Sequence, residues 1–440
     1  MTGKDQALQF AAEQNVRFIR LWFTDIFGML KSFAITVDEL ERALGEGMGF
    51  DGSSVTGYHD IEESDMVAVP DPSTFAILPW RPEDSRVARM FCDIKTRDGK
   101  PYVGDPRYVL RRALERAAAM GFRYLVGPEL EFFYFRVGGG TEILDKGGYF
   151  DLTPLDAGSD LRRNTVLALE EMGMHVEYSH HEVGNSQHEI DIRYDDALAM
   201  ADHAMTYRLL VKETADEAGV YATFMPKPMN GQPGSGMHTH QSLFRDSTNA
   251  FFDADEEYFL SPIARGFIAG QLKHARELSV IFAQWVNSYK RLVPGFEAPV
   301  YVAWSNRNRS ALIRVPTYHP GRENATRAEF RSPDPACNPY LTFAVMLHAG
   351  LDGIEKGYDL PDPMQVNLYE LTEDERREMG ITRLPENLGQ AIDIASGSEF
   401  LRKSLGDHVY SRLLELKRKE WNEYQQHVSS WELDNYLTIL

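Results

Sequence analysis

Short runs of alternating apolar and polar residues, separated by glycine- and proline-rich turns, dominate the first hundred positions of the chain. VRFIRLWFTDIFGMLKSFAI reads as two strand-like segments around a turn that contains Asp25 and Gly28. MFCDIKTRDGKPYVGDP closes that region with charge, glycine and proline, which sets a boundary near Gly99 to Asp105. The pattern then changes. PRYVLRRALERAAAMG predicts a helix opened by Pro106 and ended by Gly121, and DDALAMADHAMTYRLLVKETADEAG predicts another. Strands and helices mix from there onward, with no internal repeat and no low-complexity block.

Four segments of this second region concentrate chemistry. In VGPELEFF, Glu129 and Glu131 lie two residues apart in an apolar run, so a strand would point both carboxylates at one face, where they require a cation or a proton. A single acidic pair on a half-exposed strand is common, and its weight comes from three further segments downstream. VEYSHHEVGNSQHEIDIRY predicts two short strands, Val176 to Val183 and Gln187 to Arg193, broken by Gly184, Asn185 and Ser186. A two-residue loop at Asn185 and Ser186 would set Glu182 directly across from Glu189 on the same face. A three-residue loop would put them on opposite faces.

FMPKPMNGQPGSGMHTHQSLF carries a glycine-rich loop (Gly231, Gly234, Gly236) into His238, His240 and Ser242, which share one side of an extended segment. NRNRSALIRVP supplies Arg307, Arg309 and Arg314. TRAEFRSPDPACNPY supplies Arg327, Glu329 and Arg331 on one face, with Ala328 and Phe330 on the other. Guanidinium groups flanking a carboxylate form exposed ion-pair ladders elsewhere. Clustered with the other ligand-type residues, they read as phosphate and carboxylate forks around a metal-bound nucleotide.

Composition narrows the setting. A chain of 440 residues that is 43% hydrophobic can bury more than one core, and 46 basic against 66 acidic residues give a net charge of -20. That charge argues against nucleic acid as a general partner. Cys92 and Cys337 are too few for a disulfide framework and lack metal-type spacing, which points to a reducing compartment. The N terminus lacks a basic start followed by an apolar core, and no uncharged apolar stretch reaches membrane-spanning length. We therefore expect a cytoplasmic, soluble protein with no membrane partner.

Over nearly its whole length the chain resembles type I glutamine synthetase, through the four segments above together with FTDIFGMLKS, GFDGSSVTGY and SYKRLVPGFEAP. The resemblance implies an α+β fold, with a small β-grasp-like N-terminal domain over residues 1–103. A catalytic domain over residues 104–440, with a curved antiparallel sheet and flanking helices, would come after it. It implies a ligase that makes glutamine from glutamate, ammonium and ATP through a γ-glutamyl phosphate. One metal site would be Glu131, Glu182 and Glu189, the other Glu129, His238 and Glu329. Oxygen-dominated ligation suits Mg²⁺, with Mn²⁺ a substitute.

Glu177, His240, Ser242, Arg309 and Arg314 match ATP-binding positions, with Arg327 on the phosphate side. Arg291, Arg309 and Arg331 match groups that hold the substrate carboxylate or the transferring phosphoryl, beside Gly234. The acceptor needs a base, because NH₄⁺ has no lone pair. Asp51 is that candidate, although by itself an aspartate before Gly52 reads as a turn stabiliser. Ser54 lies beside it, and Tyr149 and Glu182 would complete the cation site. RLVPGFEAP resembles a mobile flap whose Glu297 shields the intermediate from water. The family also implies a dodecamer of two stacked rings, with Asp51 from one subunit completing its neighbour's site and SSWELDNYLTIL locking into the opposite ring. Sequence physics equally allows that end to pack on its own subunit.

Three departures stand out. Pro233-Gly234 replaces the family's Asn-Gly before SGMH. Asp60 stands where a feedback-regulated subgroup has Arg, which argues against glutamine feedback there. Tyr369, in VNLYELTEDER, lacks the rest of an adenylylation segment, so it is not expected to be adenylylated. Rival readings are a γ-glutamyl ligase for a polyamine or monoamine and a catalytically silent ring-forming protein. Retention of Asp51, Ser54 and Tyr149 favours ammonium, and the full ligand set favours an enzyme.

Overall fold

In the computed structural model, residues 3–58, 64–138, 140–296, 298–308 and 310–440 are described. Helix α1 (Gly3–Glu13) precedes β1 (Val16–Thr24) and β2 (Leu30–Thr36), and α2 (Leu40–Glu46) leads into β3 (Met48–Asp51), β4 (Asp65–Pro70), β5 (Ala76–Ile77) and β6 (Arg86–Thr96). These strands form a six-stranded sheet in the order β2-β1-β6-β4-β3, with β5 on β6. The β1–β2 turn forms because the Asp25 carboxylate accepts the N–H groups of Phe27 at 3.0 Å and Met29 at 2.9 Å, replacing main-chain partners the turn cannot supply. Ile19, Leu21 and Phe23 then alternate inward, onto Met66, Ala68 and Met90.

The larger unit begins with α3 (Pro106–Ala119), where the Asp105 side chain accepts the N–H of Arg107 and Pro106 sits at the first helical position. It continues through β7 (Arg123–Arg136), α4 (Ser159–Glu171), β8 (Val176–His181), β9 (Gln187–Ile192), β10 (Asp195–Asp196), α5 (Ala197–Glu217), β11 (Val220–Thr223), β12 (Met237–Arg245) and β13 (Thr248–Asn249). Next come α6 (Pro262–Phe282), α7 (Ser288–Arg291), β14 (Tyr301–Ser305), β15 (Ala311–Arg314), β16 (Ala328–Phe330) and α8 (Pro339–Lys356). The chain ends in α9 (Glu373–Glu378), α10 (Leu388–Ser396), α11 (Glu399–Leu405), α12 (Asp407–Gln425) and α13 (Ser430–Tyr436).

The ten-stranded sheet has the path β14-β15-β16-β12-β7-β9-β8 and is antiparallel except for the β14–β15 pair, which runs parallel. Helices α6 and α8 cover its apolar side in close contact. A Cβ on Gly270 would lie 2.0 Å from the Ala349 carbonyl, so glycine is required for this approach. The two units are tied by Arg107, which bonds Asp202 of α5 at 2.9 Å, Asp71 at 2.9 Å and also Asp93 of β6. At the far end, Ser429 and Glu432 form a capping box for α13, yet Trp431 is 60% and Ile439 73% exposed. The C-terminal segment is thus not packed on its own subunit. Among the described residues no helix is long and apolar enough to cross a membrane.

Candidate active site

Polar residues of six neighbouring strands converge on one face of the large sheet. Glu131 of β7 stands opposite Glu189 of β9, while Glu129 stands between Asp191 of β9 and His238 of β12. His240 of β12 is paired with Glu329 of β16, which is in turn paired with Arg314 of β15. On the other flank, His180 of β8 faces Glu189 and Tyr178 faces Asp191. Directly opposed residues share a face, so alternation along each strand puts this whole array on one surface.

The β8–β9 hairpin differs from the two-residue loop expected from sequence. Its turn spans residues 183–186: the Glu182 N–H donates to the Gln187 carbonyl at 2.8 Å, and His180 rather than Glu182 faces Glu189. Side chains widen the turn, with the Gln187 side chain accepting the Gly184 N–H and Asp145 accepting the N–H of Ser186, both at 3.1 Å. Because the pairing is displaced by an even step, Glu182 keeps its side of the ribbon. Its carboxylate pairs with His180 Nε2 at 2.9 Å.

Two cavities meet at this face. One, of about 580 Å³, is lined by Glu129, Glu177, His240, Ser242, Asp191 and Arg327. The other, of about 350 Å³, is lined by Glu131, Glu182, Gly234, His238, Arg291 and Arg331. Of the residues matched from sequence to the nucleotide, Glu177, His240, Ser242 and Arg327 border the first and Arg314 borders neither; of those matched to the amino acid, Gly234, Arg291 and Arg331 border the second and Tyr149 borders neither. Glu129 and Glu131, two positions apart on β7, are divided between them.

Electrostatics of the face are those of carboxylates without enough counter-charge. Burial and the charge of Glu182 push Glu131 up to about 8, although its Oε2 accepts from Gln187 Nε2 and the Gly236 N–H, both at 3.0 Å. Burial, with Asp191 and Glu131 alongside, raises Glu189 well above the carboxylate range. Asp191 rises to about 6, mainly through burial, against hydrogen bonds with Glu189 and Tyr178 that lower it. Burial opposes ionisation of Glu129 too, but His240 and His238 hold it well below its ordinary value. Glu329, also buried, is lowered by Arg331, and it bonds Arg314 at 2.8 Å as well as Arg331.

Hydrogen bonds fix the imidazoles. Arg327 Nε donates to His240 Nδ1 at 3.0 Å, so the other ring nitrogen, 2.7 Å from Glu129, carries the proton. Burial and Arg331 push His238 down to about 4, leaving it neutral, the form in which imidazole ligates metals. Ligand atoms of Glu129, His238 and Glu329 lie within 4.8 Å of one another, as do those of His180, Glu189 and Asp191. Glu131, Glu182 and Glu189 are not among the groups this tight. Crowded buried carboxylates and a neutral histidine form a donor set that fits divalent cations.

Other sequence-matched residues lie apart. Asp51 ends β3 of the small sheet and Ser54 comes just after it, both exposed, and neither lines either cavity. Ser53 lowers the Asp51 carboxyl through its hydroxyl and through its N–H, which donates at 2.9 Å as in an Asx turn. Tyr149, 47% exposed, stacks on Phe150 and meets the His180 ring edge-on at 5.4 Å. Arg291 is buried, donating to the carbonyls of Ser332 at 2.8 Å and Arg331 at 3.0 Å. Glu297, Arg309 and Asp60 lie outside the described residues. Sequence reasoning missed His180, Gln187 and Asp191. Asp191 was detectable, since it follows Glu189 at the same two-residue step that links Glu129 to Glu131.

A buried carboxylate and histidine face bordered by two cavities is the architecture of a nucleotide-using ligase that works with divalent cations. The chain belongs to the glutamine synthetase family: residues 103–436 match the glutamine synthetase catalytic domain and residues 15–97 its beta-Grasp domain. It is 52% identical to a glutamine synthetase of Methanosarcina mazei, covering 100% of this chain and 98% of the relative. It is 53% identical to one of Mycolicibacterium smegmatis, covering 99% of each. Among solved structures it is similar to a GmaS/ADP complex, with a TM-score of 0.90 at 31% identity over 98% of this chain and 99% of that one. ATP and divalent metals are the family's shared requirements.

Proposed function

We propose that the chain is a glutamate–ammonia ligase, joining glutamate and ammonium at the expense of ATP. The carrying observation is the division of the face: Glu177, His240, Ser242 and Arg327 border one cavity, Gly234, Arg291 and Arg331 the other, and the neighbouring Glu129, Glu131 and His238 stand between them. Full-length relatives named glutamine synthetase at about half identity support the same reading.

In this reading Glu177, His240, Ser242, Arg309, Arg314 and Arg327 bind ATP. Arg291, Arg309 and Arg331, with Gly234, hold glutamate and the transferring phosphoryl, since planar guanidinium forks match both anions. Glu131, Glu182 and Glu189 would hold one divalent cation, and Glu129, His238 and Glu329 the other, Mg²⁺ or in its place Mn²⁺. Bound there, the cations supply positive charge against the polyphosphate. The γ-carboxylate of glutamate takes the γ-phosphoryl group and ADP leaves. Ammonia then displaces phosphate to give glutamine. Asp51 removes the proton from ammonium beside Ser54, Tyr149 and Glu182, and Glu297 shields the acyl phosphate.

Asp51 reaches this centre from a neighbouring subunit of a ring-shaped homo-oligomer, a dodecamer, in the cytoplasm. The exposed apolar face of α13 supports an assembly. Domain limits at residues 1–103 and 104–440 belong to the same proposal, with helix α3 opening the second unit.

The second reading is a γ-glutamyl ligase for a polyamine or monoamine, kept because the chain is also similar to the GmaS structures. Phosphate release and product formation with ammonium, putrescine, spermine, methylamine and ethanolamine separate the two. Glutamine formed with ammonium as the preferred acceptor is expected. Preference for any organic amine would overturn the assignment.

A further inference from the structure

Gly295, Phe296 and Ala298 form a roof along the smaller cavity, and two side chains from outside the metal-ligand face grip it. On one side the Tyr369 hydroxyl donates to the Ala298 carbonyl. Tyr369 is not a surface tyrosine that happens to reach the roof. It packs against a small separate core of Val300, Tyr301, Ala303 and Leu368, immediately after the roof, and Arg376 lies 4.6 Å over the Tyr301 ring. On the other side the Lys227 ammonium sits 3.8 Å from the centre of the Phe296 ring.

Lys227 is itself anchored. Its N–H donates to Asn287 at 2.8 Å, Asn287 Nδ2 donates back to its carbonyl at 3.0 Å, and its ammonium also donates to the Gln232 carbonyl. The Gln232 side chain in turn accepts the Asn185 N–H at 3.3 Å, in the turn after Glu182. The roof is thus joined on one flank to the core below β14 and on the other to the loop carrying Pro233 and Gly234.

We infer that Tyr369 and Lys227 are positioning residues that latch the roof over the amino-acid cavity and so keep water from the activated intermediate. This deepens the proposed ligase reading and rests on it. When the roof opens early, water adds to the acyl carbon, the bond to the phosphate oxygen breaks, and glutamate and phosphate are released. ATP is then consumed without product. Neither latch touches a reacting atom, so their loss changes how the intermediate is partitioned rather than how it is made.

The test compares Tyr369→Phe, Lys227→Met, the double variant and Lys227→Arg, which keeps the cation over Phe296. Three quantities are measured on the assembled enzyme: phosphate released from ATP with glutamate but no ammonium, glutamine formed per phosphate with ammonium, and amide hydrogen exchange over 293–300 with ADP and Mg²⁺. The double variant is expected to release phosphate without ammonium about tenfold faster, with faster exchange in the roof and a fallen glutamine-to-phosphate ratio. Lys227→Arg is expected to behave as wild type. A double variant with unchanged ratio overturns the inference, whether or not exchange changes. Wild-type protein that makes no glutamine from ammonium would instead defeat the ligase reading, while roof exchange would still report whether the latches exist.

Discussion

Glu131 and Glu189 are direct cross-strand partners on β7 and β9, both nearly sealed from solvent. Like charges so placed destabilise a sheet unless a cation lies between them. Saturating Mg²⁺ or Mn²⁺ is expected to raise the unfolding midpoint relative to protein held in chelator. At a hundredfold excess over the dissociation constant, one site contributes about 2.7 kcal/mol. In Glu189→Gln this metal-dependent increment should shrink, as read by thermal unfolding with and without chelator.

Glu329 is gripped by Arg314 and Arg331 and shares a tight group with Glu129 and His238. Glu329→Ala removes a ligand and leaves two guanidinium groups unpaired. ATP turnover should fall by about a hundredfold or more. Mn²⁺ titration followed by electron paramagnetic resonance should show one tight ion fewer per subunit. Intact ATP turnover would show the metal assignment to be wrong.

Gly234 has no room for a side chain. A Cβ there would lie 2.4 Å from the Pro226 carbonyl and 2.9 Å from Arg291 Cγ, so Gly234→Ala must displace the loop or the arginine. Overpacking of this kind costs about 1–3 kcal/mol. The expected kinetic signature is a KM for glutamate raised about tenfold, with the KM for ATP little changed, because Gly234 borders only the smaller cavity.

Acid stability is expected to depend on His348. Burial, followed by the charges of Arg116 and Arg112, pushes this imidazole down to about 3, and its Nδ1 lies 2.9 Å from Arg116 Nη1. A depressed folded value means that the unfolded chain binds the extra proton first. The contribution is complete above about 6.5 and is lost as pH falls toward 3. Between pH 7 and pH 5 the loss is on the order of 2 kcal/mol. His348→Gln should flatten this slope in chemical denaturation at pH 7, 6 and 5.

Tyr369 is not expected to be adenylylated, because its hydroxyl is engaged by the Ala298 carbonyl and its flanking sequence departs from the modified segment. Mass spectrometry of native protein should recover the Tyr369 peptide unmodified. An adenylyl peptide would refute this.

The proposed sharing of sites between subunits predicts complementation. Asp51→Ala and Glu329→Ala homo-oligomers should each be inactive. Random co-assembly in equal amounts should restore about one site in four, since each restored site takes its Asp51 and its Glu329 from different chains. Absence of recovery in verified mixed oligomers would contradict the inter-subunit arrangement.

Alternation in VGPELEFF and GMHTHQSLF was enough to put Glu129 with Glu131, and His238 with His240, on common faces, because side-chain direction along a strand follows from local geometry. Pro106 and Gly121 likewise marked a helix through local backbone preference. Register was another matter. Whether Glu182 or His180 faces Glu189 depended on Gln187 widening the turn from within the hairpin and on Asp145, 41 residues away from Ser186, clamping it from outside. The convergence of β7, β9, β12 and β16, the burial of Asp191 and the roof held by Lys227 and Tyr369 exist only once the chain is folded. Periodicity constrains each strand by itself, whereas partners, burial and counter-charge are set by which strands become neighbours.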